Sequence, residues 1–454
     1  SLKAGFIPSH TWLPHAHPAA PSHVSGIMSG VLVKMGIFGI LRIIPLVTID
    51  YVLVGLTIII ISSLTAVFGV LNAAVQRDYK RMLAYCTIEN VGIIGVGIGL
   101  GFIGVGIKSI DLSFFGFCGA LLHVLYHSLF KSLLFYSAGS VYQQTHTRLL
   151  DKLGGLVKKM PQTTLFFIIG AVAICGLPPF GGFVSEFLIY KGIFEGMKTE
   201  SLGQIITLTT AVISISVAGG ISIMAFTKTI GVVFLGSERS KLHHEPKEVS
   251  SFMLLPLYIT VIIILIASFF PYGLISLLTP VIVSLTGLNI LGETPNYSLQ
   301  IDQIVTLQMA FGIFVILFFV IFGIRWLATR KNRNAIEETW GCSYTAPNSK
   351  MQYTGKSYSK SLSKLLNFVV LEKKKHNETI GTEIFPKNQK YSTYYNDLFE
   401  KAMIKPVLNR IQYSTRYFRI IQNGRIQSYV IYGIVFIVTI FIVSGINYII
   451  TIIP

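Results

Sequence analysis

A row of ionisable residues with a spacing of four occurs inside one apolar segment of the sequence: His123, His127 and Lys131. Four residues advance a helix by about 40° beyond a full turn and by about 6 Å along its axis, so the three side chains share one helix face. Neutral imidazole both donates and accepts a hydrogen bond, which suits it to proton transfer. The pattern predicts a proton relay that ends at a desolvated lysine, with satisfied core histidines as the alternative.

A zinc ion is the rival interpretation of the same pattern, because histidines four residues apart can share a metal. No third ligand occurs close to His123 and His127 in the sequence, and the ammonium of Lys131 would repel a cation one turn away. The sequence therefore favours the relay and predicts no metal site.

The cysteines offer no redox site either. The four are Cys86, Cys118, Cys175 and Cys342, and none belongs to a CxxC pair. They cannot supply the thiolate set of an iron–sulfur cluster. We expect small buried residues and no cofactor in this chain.

Other charges also fall inside the apolar segments. Because a charge in hydrocarbon is costly, each is a candidate functional residue. Seven of the 37 Lys and Arg residues lie there: Lys3, Lys34, Arg42, Lys131, Lys191, Lys228 and Arg325. Arg42 and Arg325 are near segment ends and can reach the interface. The five lysines, with Glu89 and Glu186, predict a charge path through a membrane. Structural ion pairing is the alternative for Lys34, Glu186 and Lys191, and a helix-end carboxylate is the alternative for Glu89.

The elements that carry these residues are predicted to be membrane helices. The chain has 454 residues, of which 52% are hydrophobic and 13% charged. Recurrent apolar stretches of about 20 residues or more predict an all-α polytopic bundle. The spans are predicted near 24–46, 51–75, 83–105, 112–141, 163–195, 206–235, 251–272, 305–328 and 428–452. The proline-broken stretch 273–289 is predicted at the interface. The sequence begins Ser-Leu-Lys, and we expect it to lack upstream helices.

Two segments with glycine and proline predict discontinuous helices. Residues 1–23 contain four prolines, and GLPPFGG at 176–182 interrupts an apolar stretch that is too long for one simple span. Broken helices in two halves of a bundle are typical of transporters with ion sites near the midplane. An ordinary loop between short helices is the alternative. Four histidines near the first break could help protons enter or could be loop residues: His10, His15, His17 and His23.

The net charge of +17 would suit a nucleic-acid partner, but its distribution indicates membrane orientation instead. Three short loops on one side of the predicted spans contain ten Lys and Arg residues and 330–427 contains 18, whereas the alternate loops contain two. By the positive-inside rule, 330–427 is predicted to be cytoplasmic and the C-terminus to be outside. No nucleic-acid partner is predicted.

The change in composition after Arg325 divides the chain. We predict a channel domain at 1–290, an additional span at 291–330, a basic cytoplasmic segment at 331–427 and a final span at 428–454. Residues 394–422 mix apolar and basic residues at helical intervals, which predicts an amphipathic helix on the membrane surface. A helix packed on a soluble partner is the alternative.

Four motifs occur in a fixed order: KAGFIPSHTWLPHAHPAAPSHVS at 3–25, QRDYKRMLAY at 76–85, the relay row, and GGFVSE at 181–186. Together they resemble the antiporter-like subunits, which are the proton-pumping membrane subunits of complex I, Mrp-type sodium/proton antiporters and membrane-bound NiFe hydrogenases. The resemblance covers about residues 1–280. ETWGCSYTAPNSKMQYTG at 338–355 is similar to the large antiporter-like subunit of formate hydrogenlyase-type hydrogenases, which favours that branch.

The resemblance implies a proton path from Lys3 on the first broken helix to Lys34, then along the relay row to Glu186 on the second broken helix. Glu89, Lys191 and Lys228 are further candidates for this path. The family's carboxylate partner of Lys3 belongs to an earlier helix that this sequence lacks.

The resemblance also implies a function. We expect a subunit without an active site of its own that couples electron transfer in partner subunits to proton, or sodium/proton, transport in a bacterial or archaeal cytoplasmic membrane. The iron–sulfur and NiFe centres would be in a cytoplasmic redox arm, beside further membrane subunits. The alternatives are an Mrp-type antiporter subunit without a redox partner and a scaffold that no longer pumps.

Overall fold

The computed structural model describes residues 2–47, 49–240, 242, 244–287, 297–330, 344, 346, 348, 351–376, 391–418 and 424–452. Within these ranges, eight helices are long and apolar enough to cross a membrane: Ser22–Leu46, Tyr51–Val75, Tyr79–Gly106, Ile110–Thr145, Leu202–Val233, Ser251–Phe269, Met309–Thr329 and Ile426–Ile450. The all-α polytopic prediction is confirmed, and eight of the nine predicted spans fall on these helices. The ninth, 163–195, falls on two shorter helices, Pro161–Ile174 and Gly181–Gly196.

The α-helices follow one another with few interruptions. They are α1 (Trp12–Ala19), α2 (Ser22–Ile27), α3 (Val33–Ile43), α4 (Tyr51–Val75), α5 (Tyr79–Gly106), α6 (Ile110–Thr145), α7 (Pro161–Ile174), α8 (Gly181–Gly196), α9 (Leu202–Val233), α10 (Ser251–Phe269), α11 (Pro271–Thr286), α12 (Tyr297–Thr329), α13 (Gly355–Leu365), α14 (Lys405–Phe418) and α15 (Ile426–Ile452). A π-helical segment, Met28–Leu32, joins α2 to α3.

The first predicted break is confirmed. Residues 2–11 form turns, α1 is short, and Ala20 and Pro21 are extended before α2 begins. The carbonyls at the end of α1 accept hydrogen bonds from two cations: Lys80 Nζ donates to Ala20 O at 2.8 Å, and Arg148 donates to Pro18 O. Cations at a helix C-terminus satisfy free carbonyls and complement the helix dipole.

The second predicted break is confirmed between α7 and α8. Gly176 has φ +62°, a conformation in which glycine avoids the strain of a side chain. On the far side of the break, the Gly181 N–H donates to Ser268 Oγ at 2.9 Å. At the start of α7, the Glu248 carboxylate accepts from the backbone N–H groups of Gln162 and Thr163 at 2.9 and 3.3 Å. This is the favourable position for an anion at a helix N-terminus.

Helix α5 forms the centre of the bundle and is almost entirely buried between α4, α6 and α8. Glycines on α5 allow the backbones to approach closely. A methyl group built on Gly92 would lie 2.6 Å from Ser62 O and 2.8 Å from Ala66 Cα, both on the backbone of α4. Small residues serve this purpose in membrane helix packing.

The basic loops meet at one end of the bundle. Arg77 forms an ion pair with Asp151 at 3.1 Å, and the Arg239 guanidinium donates to the carbonyls of Leu153 and Tyr353, both at 2.8 Å. Partial burial lowers the pKa of Arg239 from its ordinary value, and Asp151 opposes this change. These contacts agree with the charge asymmetry of the sequence, which predicted that the basic loops lie on one side of the membrane.

The region after α12 contains a small sheet and, further along the chain, a helix that the sequence predicted. Residues Ser1–Tyr395 form one compact unit, in which α13 packs against α4 and α9 and the strands β1 (Leu371–His376) and β2 (Tyr391–Asn396) pair. The sequence did not predict this sheet. Most of the 338–355 motif, including Cys342, lies outside the described residues.

The second unit, Asn396–Pro454, contains a π-helical turn, Glu400–Ile404, followed by α14 and the exposed helix α15. Helix α14 lies within the predicted amphipathic segment, and its placement on a membrane surface stays a prediction. The placement of α11 at the membrane interface also stays a prediction. Its 16 residues are too few for an ordinary span, which is compatible with that placement.

We expect Gly92→Ala to destabilise the bundle, because the new methyl group meets backbone atoms that cannot move aside. Overpacking of this kind costs about 1–3 kcal/mol. Gly219→Ala on α9 is the matched control, since nothing lies within 4 Å of its ideal Cβ. Thermal unfolding of the purified chain in detergent should show a lower midpoint for Gly92→Ala alone. Equal midpoints would contradict the close α4–α5 contact.

Candidate functional site

The relay row occupies one fully buried face of α6. His123, His127 and Lys131 are each 0% exposed. The two imidazole rings are stacked with their centroids 6.4 Å apart, and Phe130 packs edge-on against both. The helical repeat therefore brings the three side chains together as the spacing predicts.

Lys34 reaches this row from a neighbouring helix. Its ammonium contacts Nδ1 of His127 and donates to Ser29 O. Lys34 follows the π-helical segment Met28–Leu32, and such segments are frequent at functional sites. An ammonium can only donate, so His127 accepts at Nδ1 and has its ring proton on Nε2 when Lys34 is charged.

Both ring nitrogens of His123 are hydrogen-bonded. Nε2 lies 3.0 Å from Asn90 Oδ1, and Nδ1 lies 2.9 Å from Ser185 Oγ. Asn90 uses its amide N–H₂ to donate to Cys86 O at 2.8 Å, which leaves its oxygen as the acceptor for His123 Nε2–H. The network assigns this tautomer. Nδ1 is then free to exchange a proton with the Ser185 hydroxyl.

Ser185 and Glu186 connect the row to the second helix break. Ser185 Oγ lies 2.9 Å from Gly182 O in the first turn of α8. The Glu186 carboxylate is folded against Gly176, since a methyl group built there would lie 2.6 Å from Glu186 Oε2. The conformation that requires glycine at 176 thus also makes room for this carboxylate.

Lys131 forms a branch of the site with α5. Its Nζ donates to Leu83 O at 2.7 Å. The same carbonyl accepts from Thr87 Oγ1 at 3.1 Å, and Thr87 Oγ1 lies 2.7 Å from Ser29 Oγ. Lys34 donates to the backbone carbonyl of the same Ser29, so both lysines bind residues of one buried polar cluster beside α5.

Glu89 belongs to the same buried cluster. It lies well inside α5, so the interpretation as a helix-end carboxylate is wrong. Its side chain is 1% exposed and lies near Cys86, Ser222 and Lys131. Glu89 thus adds a buried titratable carboxyl group near the lysine end of the row.

The structure does not bring the remaining candidates into this row. Lys228 is 1% exposed, and its Nζ donates to Ala74 O at 2.6 Å and Gln76 O at 2.9 Å, at the C-terminus of α4. Lys191 lies over the Phe187 ring at 5.5 Å, in a separate cavity of about 370 Å³. Lys3 is exposed in the segment of turns before α1.

The four histidines near the first break differ from one another. His10 is buried against Phe68, with ring centroids 5.1 Å apart, and His15 and His23 are exposed. His17 is 0% exposed and stacks on Phe135 at 4.7 Å. They therefore do not form one cluster.

The described part of the chain contains no group of three His, Cys, Asp or Glu residues that could hold a metal ion. Cys86, Cys118 and Cys175 are buried free thiols. In the relay row, hydrogen bonds engage both nitrogens of His123 and a lysine contacts His127, which is unsuitable for a shared metal.

Sequence reasoning missed Asn90, Ser185, Thr87, Lys80 and Arg148. Ser185 and Lys80 lie within the quoted motifs, so the motifs marked their positions. Asn90 and Thr87 flank Glu89 on α5, whose buried charge was the available signal. No pattern in the sequence indicates that Arg148 binds the end of α1.

Comparison with known proteins identifies the family of this chain. The family described as "NADH:quinone oxidoreductase/Mrp antiporter, TM" matches residues 1–216. Hydrogenase-4 component B of Escherichia coli (strain K12) is 30% identical over 97% of this chain and 67% of its own length. The chain belongs to this family of antiporter-like membrane subunits.

Two further likenesses describe the extent of the match. This antiporter-like chain is 37% identical to formate hydrogenlyase subunit 3 of the same strain, over 53% of this chain and only 40% of the relative. In the Mrp complex from Dietzia sp. DQ12-45-1b, one chain has the same fold with a TM-score of 0.53 at 22% identity, over 64% of this chain and 58% of that one. The predicted resemblance is confirmed, including its hydrogenase branch.

We expect Lys228→Met to lower stability rather than transport, because it leaves two buried carbonyls at the end of α4 without their donor. An unpaired buried acceptor costs about 1–3 kcal/mol. Thermal unfolding and proton flux should be measured in the same preparation, with the exposed Lys364→Met as control. If Lys228→Met left the stability unchanged but abolished proton flux, Lys228 would belong to the proton path.

Proposed function

We propose that this chain carries protons through the membrane along Lys34, His127, His123, Ser185 and Glu186. The observation that carries the proposal is the buried row that runs from the Lys34 ammonium through the two stacked histidines to Ser185, the residue before Glu186. Buried ionisable groups in a membrane are costly and are retained for function. A scaffold would not need this arrangement.

The contact between Lys34 and His127 sets the order of events. Two unit charges 4 Å apart repel by roughly 4 kcal/mol at an effective dielectric constant of about 20. Lys34 and His127 therefore cannot both be cationic at low cost, and a proton that moves to His127 leaves a neutral amine behind. A change in the protonation of Glu89, which lies near Lys131, can then favour one end of the row.

Transfer from His127 to His123 crosses the 6.4 Å between ring centroids and requires ring rotation or a bridging water. His123 can then hold the proton, with Nδ1–H donating to Ser185 Oγ while the hydroxyl donates to Gly182 O. In the neutral state the hydroxyl can turn and donate to Nδ1. The serine thus accommodates both charge states without backbone movement.

Glu186 is the acceptor at the far end. Its position at the break places it where discontinuous helices expose backbone groups to water or ions. Lys191 lies five residues further along α8, beside a separate cavity, and is a candidate for the exit. Release on the side opposite the basic loops would follow the positive-inside orientation.

The physiological setting is part of the proposal. We propose a subunit, itself without redox chemistry, of a hydrogenase- or NADH dehydrogenase-like complex in a bacterial or archaeal cytoplasmic membrane. Its partners would be other membrane subunits and a cytoplasmic arm with iron–sulfur and NiFe centres. The similarity to hydrogenase-4 component B and formate hydrogenlyase subunit 3 supports this setting.

A sodium/proton antiporter subunit without a redox partner is the second candidate. The Mrp name of the matching family and the fold shared with an Mrp complex favour it. Ion flux that follows electron transfer through co-purified redox subunits supports the first candidate. Flux driven only by an imposed sodium gradient supports the second.

We expect Glu186→Gln to reduce proton output at least tenfold while electron transfer continues, because the amide keeps the shape but cannot titrate. Glu186→Asp should retain part of the flux. The measurement is proton flux into vesicles containing the assembled complex, with Glu200→Gln, an exposed carboxylate outside the Lys191 cavity, as control. Equal pumping by the Gln and Asp variants would remove Glu186 from the path.

A further inference from the structure

We propose that a cavity at the first helix break binds the phosphate headgroup of an anionic phospholipid. The cavity has a volume of about 840 Å³ and lies between the end of α1, the last turns of α6 and the start of α10. Its lining includes Lys80, Tyr142, Gln143, Arg148, Phe252 and Met253. We refer to it as the α1–α10 cavity.

The polar lining of the α1–α10 cavity is entirely cationic or neutral. Lys80, Arg148 and two histidines contribute donors, whereas none of the described lining residues is Asp or Glu. Asp78 is paired with Arg148 at 3.4 Å from outside the lining. The side chain of Lys80 lies over the Tyr142 ring at 5.8 Å, and only one of its three donors is used by Ala20 O. Such a lining is complementary to an anion.

The other wall is apolar and belongs to a membrane helix. Phe252 is 89% exposed and Met253 is 36% exposed in the first turn of α10, and Pro256 follows one turn later. The ligand must therefore be anionic at one end and apolar at the other. A phospholipid meets this requirement if its headgroup enters the cavity and its acyl chains lie along α10.

The position of the cavity along the membrane normal agrees with this ligand. It lies at the end of the bundle where the basic loops meet, which the charge distribution places on the cytoplasmic side. Basic pockets between helices on this side are suited to anionic headgroups. A free phosphate ion would use the cations but would leave the Phe252 wall without a role.

The site also has a structural consequence. Lys80 and Arg148, which would bind the phosphate, are the same cations that bind the carbonyls at the end of α1. A bound headgroup would hold both cations in place and would thereby stabilise the first broken helix.

The test is native mass spectrometry of the full-length chain, released from detergent, with added phosphatidylglycerol or phosphatidylcholine. We expect one phosphatidylglycerol to bind at least tenfold more tightly than phosphatidylcholine. Gln143→Glu places a carboxylate in the cavity wall without removing a cation, and should weaken phosphatidylglycerol binding by about fivefold, since one charge near the headgroup is worth about that factor.

Gln144→Glu is the matched control, because it makes the same change at the next residue, outside the cavity lining. Its affinity for phosphatidylglycerol should equal that of the unmodified chain. Equal binding of both lipids, or equal effects of the two Glu substitutions, would overturn the proposal. Displacement of phosphatidylglycerol by inorganic phosphate at a matched concentration would also overturn it, in favour of a free-phosphate site.

Discussion

The contact between the Lys34 ammonium and the imidazole of His127, in a buried part of the bundle, is the interaction on which the other features depend. It requires two helices at close range, and Gly30 provides this, since a methyl group there would lie 2.6 Å from Ser132 Oγ on α6. It also requires Lys34 to face α6, and the π-helical segment before it changes the helical phase at that point. The close helix contact at Gly30 and the π-helical segment therefore place the Lys34 ammonium next to the relay row.

The lack of water in the hydrocarbon region explains how the helix breaks and helix ends are stabilised. An interrupted helix exposes backbone groups that hydrocarbon cannot satisfy. At the first break Lys80 and Arg148 bind the free carbonyls, and at the second break the Gly181 N–H donates to Ser268 Oγ. At the start of α7 the Glu248 carboxylate binds the free N–H groups. Lys228 has the corresponding role at the end of α4. Lys228, which looks like a member of an ion path in the sequence, is thus part of the framework that holds the path.

The sequence predicted features that depend on local periodicity or on hydrophobicity. The spans, both breaks and the common face of His123, His127 and Lys131 follow from such patterns. Which side chain meets which was not predictable, because the contact of Lys34 with His127 and that of His123 with Ser185 depend on the packing of separate helices. Lys228 was placed on the path for a related reason: its partners are backbone carbonyls, which no residue type reveals.

The most direct test of the account is a double-substitution experiment on the central contact. Proton flux should be measured in vesicles with the assembled complex for Lys34→Met, His127→Gln and the variant with both changes, after assembly has been verified. Because both residues serve one transfer step, each single change should lower flux at least tenfold, and the double change should be no worse than the more severe single one. Near-normal flux in either single variant, or losses that multiply in the double variant, would contradict transfer between Lys34 and His127.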